Sequence, residues 1–555
     1  MSLTKVSYSM VTGAPTNVLD YGAIPVGLVS SSTQIQAAVD SGAGAIVFPD
    51  GEFLFSNPIL IKSGTDRVSL SSLNRIRTTV GALINASIAT APENTNALFI
   101  IQDNNAHFCL ENFYFSNTGA PFTGSIIFAV EGGCADGSGQ ALFSGLFRNI
   151  WVSTPSVNNG FFRGAAQNCA FDTFTCEYQK GIFNLQGVGN GDTFFRAFSM
   201  LACYDSFISQ VDDAFGSSLF TIDGINAYGH LRGRLFDVQN WTDCKISNVS
   251  LQPEVGSTDV GLFKFKDCND IIVNSFSAGV GGVTCSAVGI DINASKAKFS
   301  NGYIKAATGL KITGNVNLEF DNVDFTGCDL CISIITGASG TLRTRNCKFN
   351  SSVTSTVTDT GTQALNWYSD GDEFIDAGTG GNNAQRIFNL SNSTTVELVN
   401  SKIGKVDAGA AAGIFIDLSG SGTFTLTNPK FFGTPQFAFT SGSQGIFSGD
   451  LVGTPVVTYS ATMVLDTQLG NTFIVTPTDG SAFTIIPSII FLPKGAKINL
   501  TIKNTFGSLG VCTLAGLFKA AAWTQPANGF SRSITFEFNG TDWIEISRTT
   551  SDIPN

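Results

Sequence analysis

A short apolar phrase built around asparagine recurs through the middle of the 555-residue chain and constrains the fold more than any other sequence feature. A second phrase, Gly followed by Ile or Leu and often Phe, follows the copies, and from position 149 onward the copies lie 21 to 29 residues apart. A sustained period of about 20–50 residues is typical of a solenoid. The Asn positions are Asn112, Asn149, Asn248, Asn274, Asn301, Asn322, Asn346, Asn400 and Asn428, and we expect Asp172, Arg196, Asp223 and Gly371 to fill the position where Asn is missing.

The repeats predict strands rather than helices. Segments of about five residues alternate apolar and polar side chains, as in 245–249, and Gly, Ser, Asp and Asn separate them. No repeat contains the longer helical pattern of a leucine-rich or helical solenoid. We therefore predict an all-β fold, a right-handed parallel β-helix from about residue 95 to 450. Interior rows of Phe, Ile, Val and Cys would account for the 47 Phe, and Asn at each bend tolerates left-handed backbone.

The two ends of the chain depart from this pattern. Residues 33–40 predict a short helix, with preceding serines as caps, that covers the open first coil. Beyond about residue 455 the repeat stops, and segments 473–475, 497–502, 533–538 and 543–546 predict an antiparallel β-sandwich. The expected domains are a peptide at 1–20, a cap with the first coils at 21–94, the β-helix at 95–452 and the sandwich at 453–555.

Composition excludes several classes of protein. The chain carries 31 Lys and Arg against 43 Asp and Glu, so nucleic-acid binding is not expected. No apolar stretch is long enough for a membrane helix, and residues 1–18 lack the apolar core of a signal peptide. Cys328 and Cys331 form a CxxC without a second pair, so we expect buried thiols and no metal or cofactor. Motifs of serine esterases, zinc proteases and phosphate loops do not occur.

Short motifs at both ends of the chain resemble those of a known family. They are Asn-Val-Leu-Asp-Tyr-Gly-Ala at 17–23, Ile-Gln-Ala-Ala-Val-Asp at 35–40 and Ile-Val-Phe-Pro-Asp-Gly at 46–51, with the lead-in 5–10 and the ending 540–550. Together they resemble pectate-lyase-like β-helix proteins and, more narrowly, bacteriophage tailspike depolymerases. The resemblance covers about fifty residues at the start and ninety at the end, and only the repeat architecture between them.

This resemblance implies a homotrimer in a virion tail that binds and cleaves a bacterial surface polysaccharide, capsule or O-antigen, outside the host cell. Residues 1–20 would dock on another virion tail protein, and residues from about 455 onward would lock the trimer. Tailspikes place their catalytic residues differently from one another. The site must therefore come from the residues of this chain.

Polar residues concentrate just before the second phrase in four consecutive repeats. We predict a groove there, with Glu177 and Asp205 as catalytic carboxylates and Asp259 as the substitute second member. The substrate-binding candidates are Tyr178, Lys180, Tyr204, His230, Arg232 and Glu254. Tyrosine faces suit sugar rings. Asp212 and Asp213 are an alternative acidic pair, whereas Trp241 and Trp367 are expected to pack in the protein.

Coil spacing connects these carboxylates to glycoside hydrolysis. That reaction needs an acid and a second carboxylate, about 5 Å apart for retention or roughly 6.5–9.5 Å apart for inversion. We expect Glu177 and Asp205, on adjacent coils, to give the shorter separation, and Asp205 with Asp259 the longer one. Two other functions stay open. A polysaccharide lyase would use Tyr178, Tyr204 or His230 as the base and Arg232 or Lys180 to neutralise a uronate, whereas a receptor-binding fibre would not cleave sugar.

Overall fold

The computed structural model divides the chain into two compact units, Met1–Leu310 and Lys311–Asn555. The described residues are 15–61, 68–80, 97–101, 107–117, 125–129, 142–153, 160–179, 181–185, 190–210, 217–280, 283–351, 356–359, 364–376, 387–390, 394–405, 416–418, 422–432, 437–439, 444–448, 457–465, 471–487 and 495–555. No helix among these residues is long and apolar enough to cross a bilayer.

Parallel strands stack as the coils of a β-solenoid, so the predicted all-β, parallel coil architecture is confirmed. In the first unit each coil contains a strand with a sharp bend and a shorter strand. Adjacent coils pair in register, as in Phe147 with Phe171 and Phe171 with Phe195. The bent strands are Val68–Val80, Phe108–Asn117, Leu146–Ser153, Ala170–Glu177, Phe194–Leu201, Thr221–Gln239, Lys245–Lys266, Ile271–Ala278 and Lys296–Ile304.

The shorter strands of the first unit complete its coils. They are Ile59–Ile61, Ala97–Ile101, Ser125–Ala129, Phe162–Gly164, Phe183–Leu185, Ile208–Gln210, Cys285–Asn293 and Ala306–Thr313. The strands Thr221–Gln239 and Lys245–Lys266 are longer because each runs on through the turn and supplies its own short strand. Small side pairings join Leu142–Phe143 with Ala166–Gln167 and Ser217–Ser218 with Trp241–Thr242.

The start of the first unit contains the predicted helix, Ser32–Asp40, after a 3-10 turn at Val18–Tyr21. Ser31 occupies the N-cap but makes no side-chain capping bond, contrary to expectation, because its hydroxyl bonds the backbone of Ile24. The Gln36 side chain donates to the carbonyl of Leu60 at 3.0 Å and accepts from its N–H at 2.7 Å. This side-chain amide thus satisfies backbone groups of a strand residue in a coil. The strands here are Thr16–Asn17, Val26–Ser30, Ala45–Phe48 and Glu52–Phe55.

The coil interior is filled by aromatic rows. Phe171 stacks on Phe147 and on Phe195, with ring centroids 4.7 and 5.1 Å apart. In-register pairing places identical side chains above one another, and this produces the stacked geometry. The described cysteines are free thiols, all buried except Cys109. Burial raises the pKa of Cys169 and of Cys203 to about 12, so these thiols pack as small apolar side chains, as expected.

We call the bend within each bent strand the bend edge. Asn at this position adopts left-handed backbone, for example φ 54° at Asn149 and 53° at Asn248. The Asn149 Nδ2 donates to Asn112 Oδ1 of the preceding coil at 2.7 Å. In four coils the left-handed residue comes one position later than predicted, at Thr173, Ala197, Gly224 and Ser275 rather than at Asp172, Arg196, Asp223 and Asn274. The prediction for Gly371, at φ 70°, is confirmed.

The second unit contains coils of three separate strands. One column is Ser339–Arg345, Ala364–Asp370, Thr395–Val399, Thr423–Thr427 and Gln444–Ser448. The next is Lys348–Ser351, Glu373–Asp376, Lys402–Lys405 and Lys430–Phe432, and the third is Leu330–Ile334, Val357–Asp359, Phe388–Leu390, Ile416–Leu418 and Phe437–Phe439. The strand Asn315–Asp324 pairs with Ser339–Arg345.

The last hundred residues of the second unit form two sheets around one core that includes Phe483, Leu500 and Trp543. The first sheet, Thr462–Leu465, Phe483–Pro487 and Cys512–Leu514, is wholly parallel. The second is mixed and contains Thr472–Val475, Lys497–Lys503, Phe518–Lys519, Phe530–Phe538, Trp543–Arg548 and Ile553–Pro554. The predicted antiparallel pairing is confirmed for 497–502 with 533–538 and for 533–538 with 543–546, but 473–475 pairs in parallel. An alternating inward and outward pattern is common to parallel and antiparallel strands, so the sequence did not distinguish them.

Candidate functional site

The candidate residues lie where the bent strands of four consecutive coils pass into the short strands. We call this region, the described residues 177–179, 181, 201–207, 228–235 and 252–262, the turn edge. Glu177 lies opposite Leu201, Leu201 opposite Tyr228, and Tyr228 opposite Gln252. Beyond this row the coils diverge, since the pairing of Thr221–Gln239 with Lys245–Lys266 shifts register between Tyr228 and Arg234. The turn edge is thus irregular in length and in conformation.

Exposed tyrosines mark this edge. The exposed fractions are 50% for Tyr178, 41% for Tyr204 and 58% for Tyr228. Leu201, in the same row as Tyr228, is 38% exposed. Tyrosines with one open face offer an apolar platform and a hydroxyl, the combination that a sugar ring uses. Sequence analysis found Tyr178 and Tyr204 but missed Tyr228, which only the strand register brings into the row.

Two carboxylates of the turn edge are held by arginines. The Asp205 carboxylate accepts from Arg232 Nε at 3.0 Å and from a terminal guanidinium nitrogen at 3.4 Å. Asp259 accepts from the Arg234 guanidinium at 3.3 Å. The hydrogen bond and charge of Asp205 raise the pKa of Arg232 above its ordinary value. These partners are one coil apart, 27 and 25 residues, and this sequence spacing is a signal from which both pairs could have been predicted.

Glu177 and Glu254 differ from these aspartates. Glu177 is half-buried at the end of its strand, and Glu254 is exposed in the turn. Within the described part of the chain, no Lys, Arg or His lies at ion-pair distance from either carboxylate. A Cβ added at Gly229, whose φ is 63°, would lie 3.2 Å from Glu254 Oε2. Glu254 therefore reaches back across the bare glycine of the preceding coil.

The structure does not bring Glu177 and Asp205 into register, contrary to the sequence prediction. Glu177 pairs with Leu201, whereas the backbone N–H of Asp205, four residues later, donates to the carbonyl of Arg232. The sequence prediction treats their offsets from the second phrase as similar, but Glu177 lies five residues before Ile182 and Asp205 only two before Phe207, so they fall at different points of the turn. Asp205 therefore has an arginine, and not Glu177, as its side-chain partner.

His230 is 1% exposed, so its ring cannot contact a substrate lying on the surface. Burial lowers the pKa of His230 to about 4, against opposing effects of the Arg232 and Gly233 backbone and of Asp205. The imidazole is neutral near pH 7 because a charged ring would lose its hydration. Because the ring is buried, we no longer expect His230 to contact sugar hydroxyls or to act as the base of a lyase.

The remaining sequence candidates fall outside the site or outside the described residues. Lys180, Asp212 and Asp213 belong to the undescribed positions. Trp241 and Trp367 are fully buried, and their indole N–H groups donate to Gln210 and Thr344. The thiols of Cys328 and Cys331 are free and buried. No group of three or more metal-ligating side chains occurs among the residues that the structure describes.

Solved structures that resemble this chain include phage tailspike proteins. The tailspike protein gp49 from Pseudomonas phage LKA1 matches with 10% identity and a TM-score of 0.40, covering 96% of this chain and 98% of that chain. Tailspike protein 3 of bacteriophage CBA120 matches with 12% identity and a TM-score of 0.41, covering 80% and 63%. The mannuronan C-5 epimerase AlgE6 A-module of Azotobacter vinelandii matches with 12% identity and a TM-score of 0.30, covering 78% and 99%. No protein-family model and no curated protein matches the sequence.

Proposed function

We propose that this chain is the subunit of a phage tailspike that binds and depolymerises a bacterial surface polysaccharide by endo-glycosidic hydrolysis. The proposal rests on one observation, the set of side chains at the turn edge of the first unit. Exposed tyrosines lie there near Glu177 and Glu254, which form no ion pair with any residue that the structure describes. Elsewhere on the same coils, carboxylates such as Asp172 and Asp237 are engaged by Arg196 and Lys264.

Glycoside hydrolysis matches this chemistry. It needs one carboxyl group that gives a proton to the leaving oxygen and a second carboxylate on the other side of the sugar carbon. Glu177 is our candidate for one of the two. Tyr178 and Tyr204 would stack on neighbouring sugar rings, and the outer guanidinium nitrogens of Arg232, whose side chain is 54% exposed, would bind hydroxyl or acidic substituents. Asp259 stays a candidate at the margin of the site, and Lys180 stays a candidate from the sequence alone.

The test is to size purified capsular and O-antigen polysaccharides before and after incubation with the intact protein. Hydrolysis shortens the chain and creates one reducing end for each cut, without near-ultraviolet absorbance. An absorbing, unsaturated product would instead identify a lyase. A polysaccharide that is bound but keeps its length would leave a receptor-binding fibre and refute the enzyme.

Assembly and location form a second part of the proposal. We propose a homotrimer in the virion tail that acts at the outside of the host cell, with residues 1–20 docking on another tail protein. The strand Val26–Ser30, close to this segment in sequence, supports an interaction surface because apolar side chains on it are exposed. The exposed fractions are 83% for Leu28 and 55% for Val26. Light scattering should give three times the chain mass of 58.5 kDa. Removing residues 1–20 should spare polysaccharide cleavage, and loss of both trimer and cleavage would contradict the docking role.

A further inference from the structure

We infer that Glu254 is the second catalytic carboxylate of the turn edge and acts together with Glu177. This assignment rests on the proposed hydrolytic function and deepens it. It replaces Asp205, the partner expected from the sequence, and changes the role of Glu254 from binding to catalysis. Charge pairing, the reach of the Glu254 side chain and the spacing of the coils support this assignment.

Charge pairing separates the carboxylates of the turn edge into two kinds. Two nitrogens of Arg232 donate hydrogen bonds to the Asp205 carboxylate, and Arg234 donates one to the Asp259 carboxylate. A carboxylate held in this way has its charge compensated and some of its lone pairs occupied. General acid–base catalysis needs a carboxyl group that can take a proton from water or give one to the leaving oxygen. Among the described residues, Glu177 and Glu254 lack such an arginine.

The reach of the Glu254 side chain depends on Gly229 in the preceding coil. A Cβ at this position would lie 3.2 Å from Glu254 Oε2 and 3.9 Å from the backbone nitrogen of Ala202. The Glu254 carboxylate thus extends from its own coil over the preceding one, towards the coil that contains Ala202. Glycine leaves this path uncrowded and adopts φ 63° without strain. The missing side chain at 229 therefore brings the second carboxylate closer to Glu177.

The spacing between Glu177 and the Glu254 carboxylate follows from the register of the stacked strands. Glu177, Leu201 and Tyr228 occupy one row on three successive coils, and Gly229 follows Tyr228 directly. The Glu254 carboxylate lies beside Gly229, on a coil two steps from that of Glu177, and neighbouring parallel strands lie about 4.8 Å apart, so these two coils are separated by roughly 10 Å. This value is near the roughly 6.5–9.5 Å of inverting glycosidases and well above the 5 Å of retaining ones. Exposed Leu201 and Tyr228 lie between them as a platform for one sugar ring.

The chemistry balances with water as the co-reactant. Glu177 gives its proton to the glycosidic oxygen while the bond from that oxygen to the anomeric carbon breaks. A water molecule attacks the same carbon from the opposite face, and its proton passes to Glu254. Glu254 is the base because it is exposed to solvent and so to the attacking water. Exchange of these protons with solvent restores both residues. The product sugar has the inverted configuration.

The experiment compares Glu254→Gln, Glu254→Asp, Asp205→Asn and Asp243→Asn in the intact protein. Glu254→Gln should cut turnover by about 10²- to 10⁴-fold while polysaccharide binding and thermal unfolding stay unchanged. Glu254→Asp, with a shorter reach over Gly229, should fall between this variant and wild type. Asp205→Asn should weaken binding more than turnover. Asp243→Asn, an exposed residue with φ 54° that Asn tolerates, is the control and should keep normal activity.

Added azide gives a second readout. In Glu254→Ala, azide can take the place of the activated water, forming a glycosyl azide of inverted configuration as Glu177 protonates the leaving oxygen. If the wild-type protein cleaves polysaccharide and Glu254→Gln cleaves it equally fast, the assignment of Glu254 is wrong. The proposed hydrolytic function would still stand. Products of retained configuration would also overturn the assignment of Glu254. A wild-type protein that shortens no polysaccharide overturns the proposed function itself.

Discussion

The bend edge and the turn edge belong to the same coils, yet they differ in regularity and in charge. At the bend edge the described coils repeat one left-handed residue, and charged side chains there can pair across coils, as in Asp172 with Arg196 at 2.6 Å. At the turn edge the lengths vary, tyrosines are exposed, and Glu177 and Glu254 lack ion pairs among the described residues. The difference teaches that repetition indicates a structural role, whereas unmatched charge at an irregular edge indicates a functional one.

The largest expected difference in turnover is between two variants of a single strand, Ala170–Glu177. Glu177→Gln, at the turn edge, should reduce polysaccharide turnover by about 10²- to 10⁴-fold because it removes the general acid. Asp172→Asn, at the bend edge, should leave turnover unchanged, since its carboxylate is occupied by Arg196 and Thr173. Reducing-end assays on both variants measure this. Equal activity of the two would remove the functional distinction between the edges.

A carboxylate inside the coils extends the comparison to the second unit. Asp372 is buried and accepts from Ser369 at 2.6 Å, from Cys347 N–H at 2.7 Å and from Thr344. Burial raises the pKa of Asp372 from its ordinary 3.8 to about 6, against these hydrogen bonds. Because the folded pKa is the higher one, protonation stabilises the fold, and stability from this group rises as pH falls from above 6 towards 4.

The expected gain is about 3 kcal/mol, at about 1.4 kcal/mol for each pKa unit. The check is the difference between wild type and Asp372→Asn in thermal stability, followed from about pH 7.5 to 4.5. Wild type should gain on the variant as the pH falls, because the neutral amide does not titrate. Parallel curves for the two proteins would show that Asp372 does not change its charge in this range.

A smaller effect is expected from the asparagine of the bend edge. Asn248 has φ 53° and its Nδ2 donates to Asp223 Oδ1 at 2.7 Å. Asn248→Ala should cost about 2 kcal/mol through left-handed strain and the lost hydrogen bond. Asn248→Gly removes only the hydrogen bond and should cost less. Denaturant unfolding of both variants tests this, and equal losses would mean that backbone conformation contributes little at this edge.

The smallest effect belongs to the surface ion pairs of the bend edge. Arg196→Met keeps the apolar stem of the side chain and removes its bond to Asp172. Because the guanidinium is exposed to water and salt, its pairing contributes little to stability. We expect a melting temperature close to that of wild type, with any difference disappearing at high salt. A large, salt-independent loss would show that these rows of charge hold the coils together.

The sequence by itself determined the coil architecture, since side chains that recur every 21 to 29 residues must meet when strands pair in parallel. It also determined that Phe and Cys fill the interior and that Asn turns the chain, because these roles depend on residue type and period. It located the turn edge, with Glu177, Tyr178 and Tyr204 there, because unusual polar residues stand out against neutral repeats.

Tertiary structure alone decided which of these residues meet. The register displaced Asp205 from Glu177 and gave it Arg232, buried His230, brought Tyr228 into the row and extended Glu254 over Gly229. It also decided that the strands near the end of the chain pair partly in parallel. The physical reason is the same in each case. A period fixes which segments stack, but the length and backbone conformation of each turn fix where an individual side chain lies, and no local pattern encodes that sum.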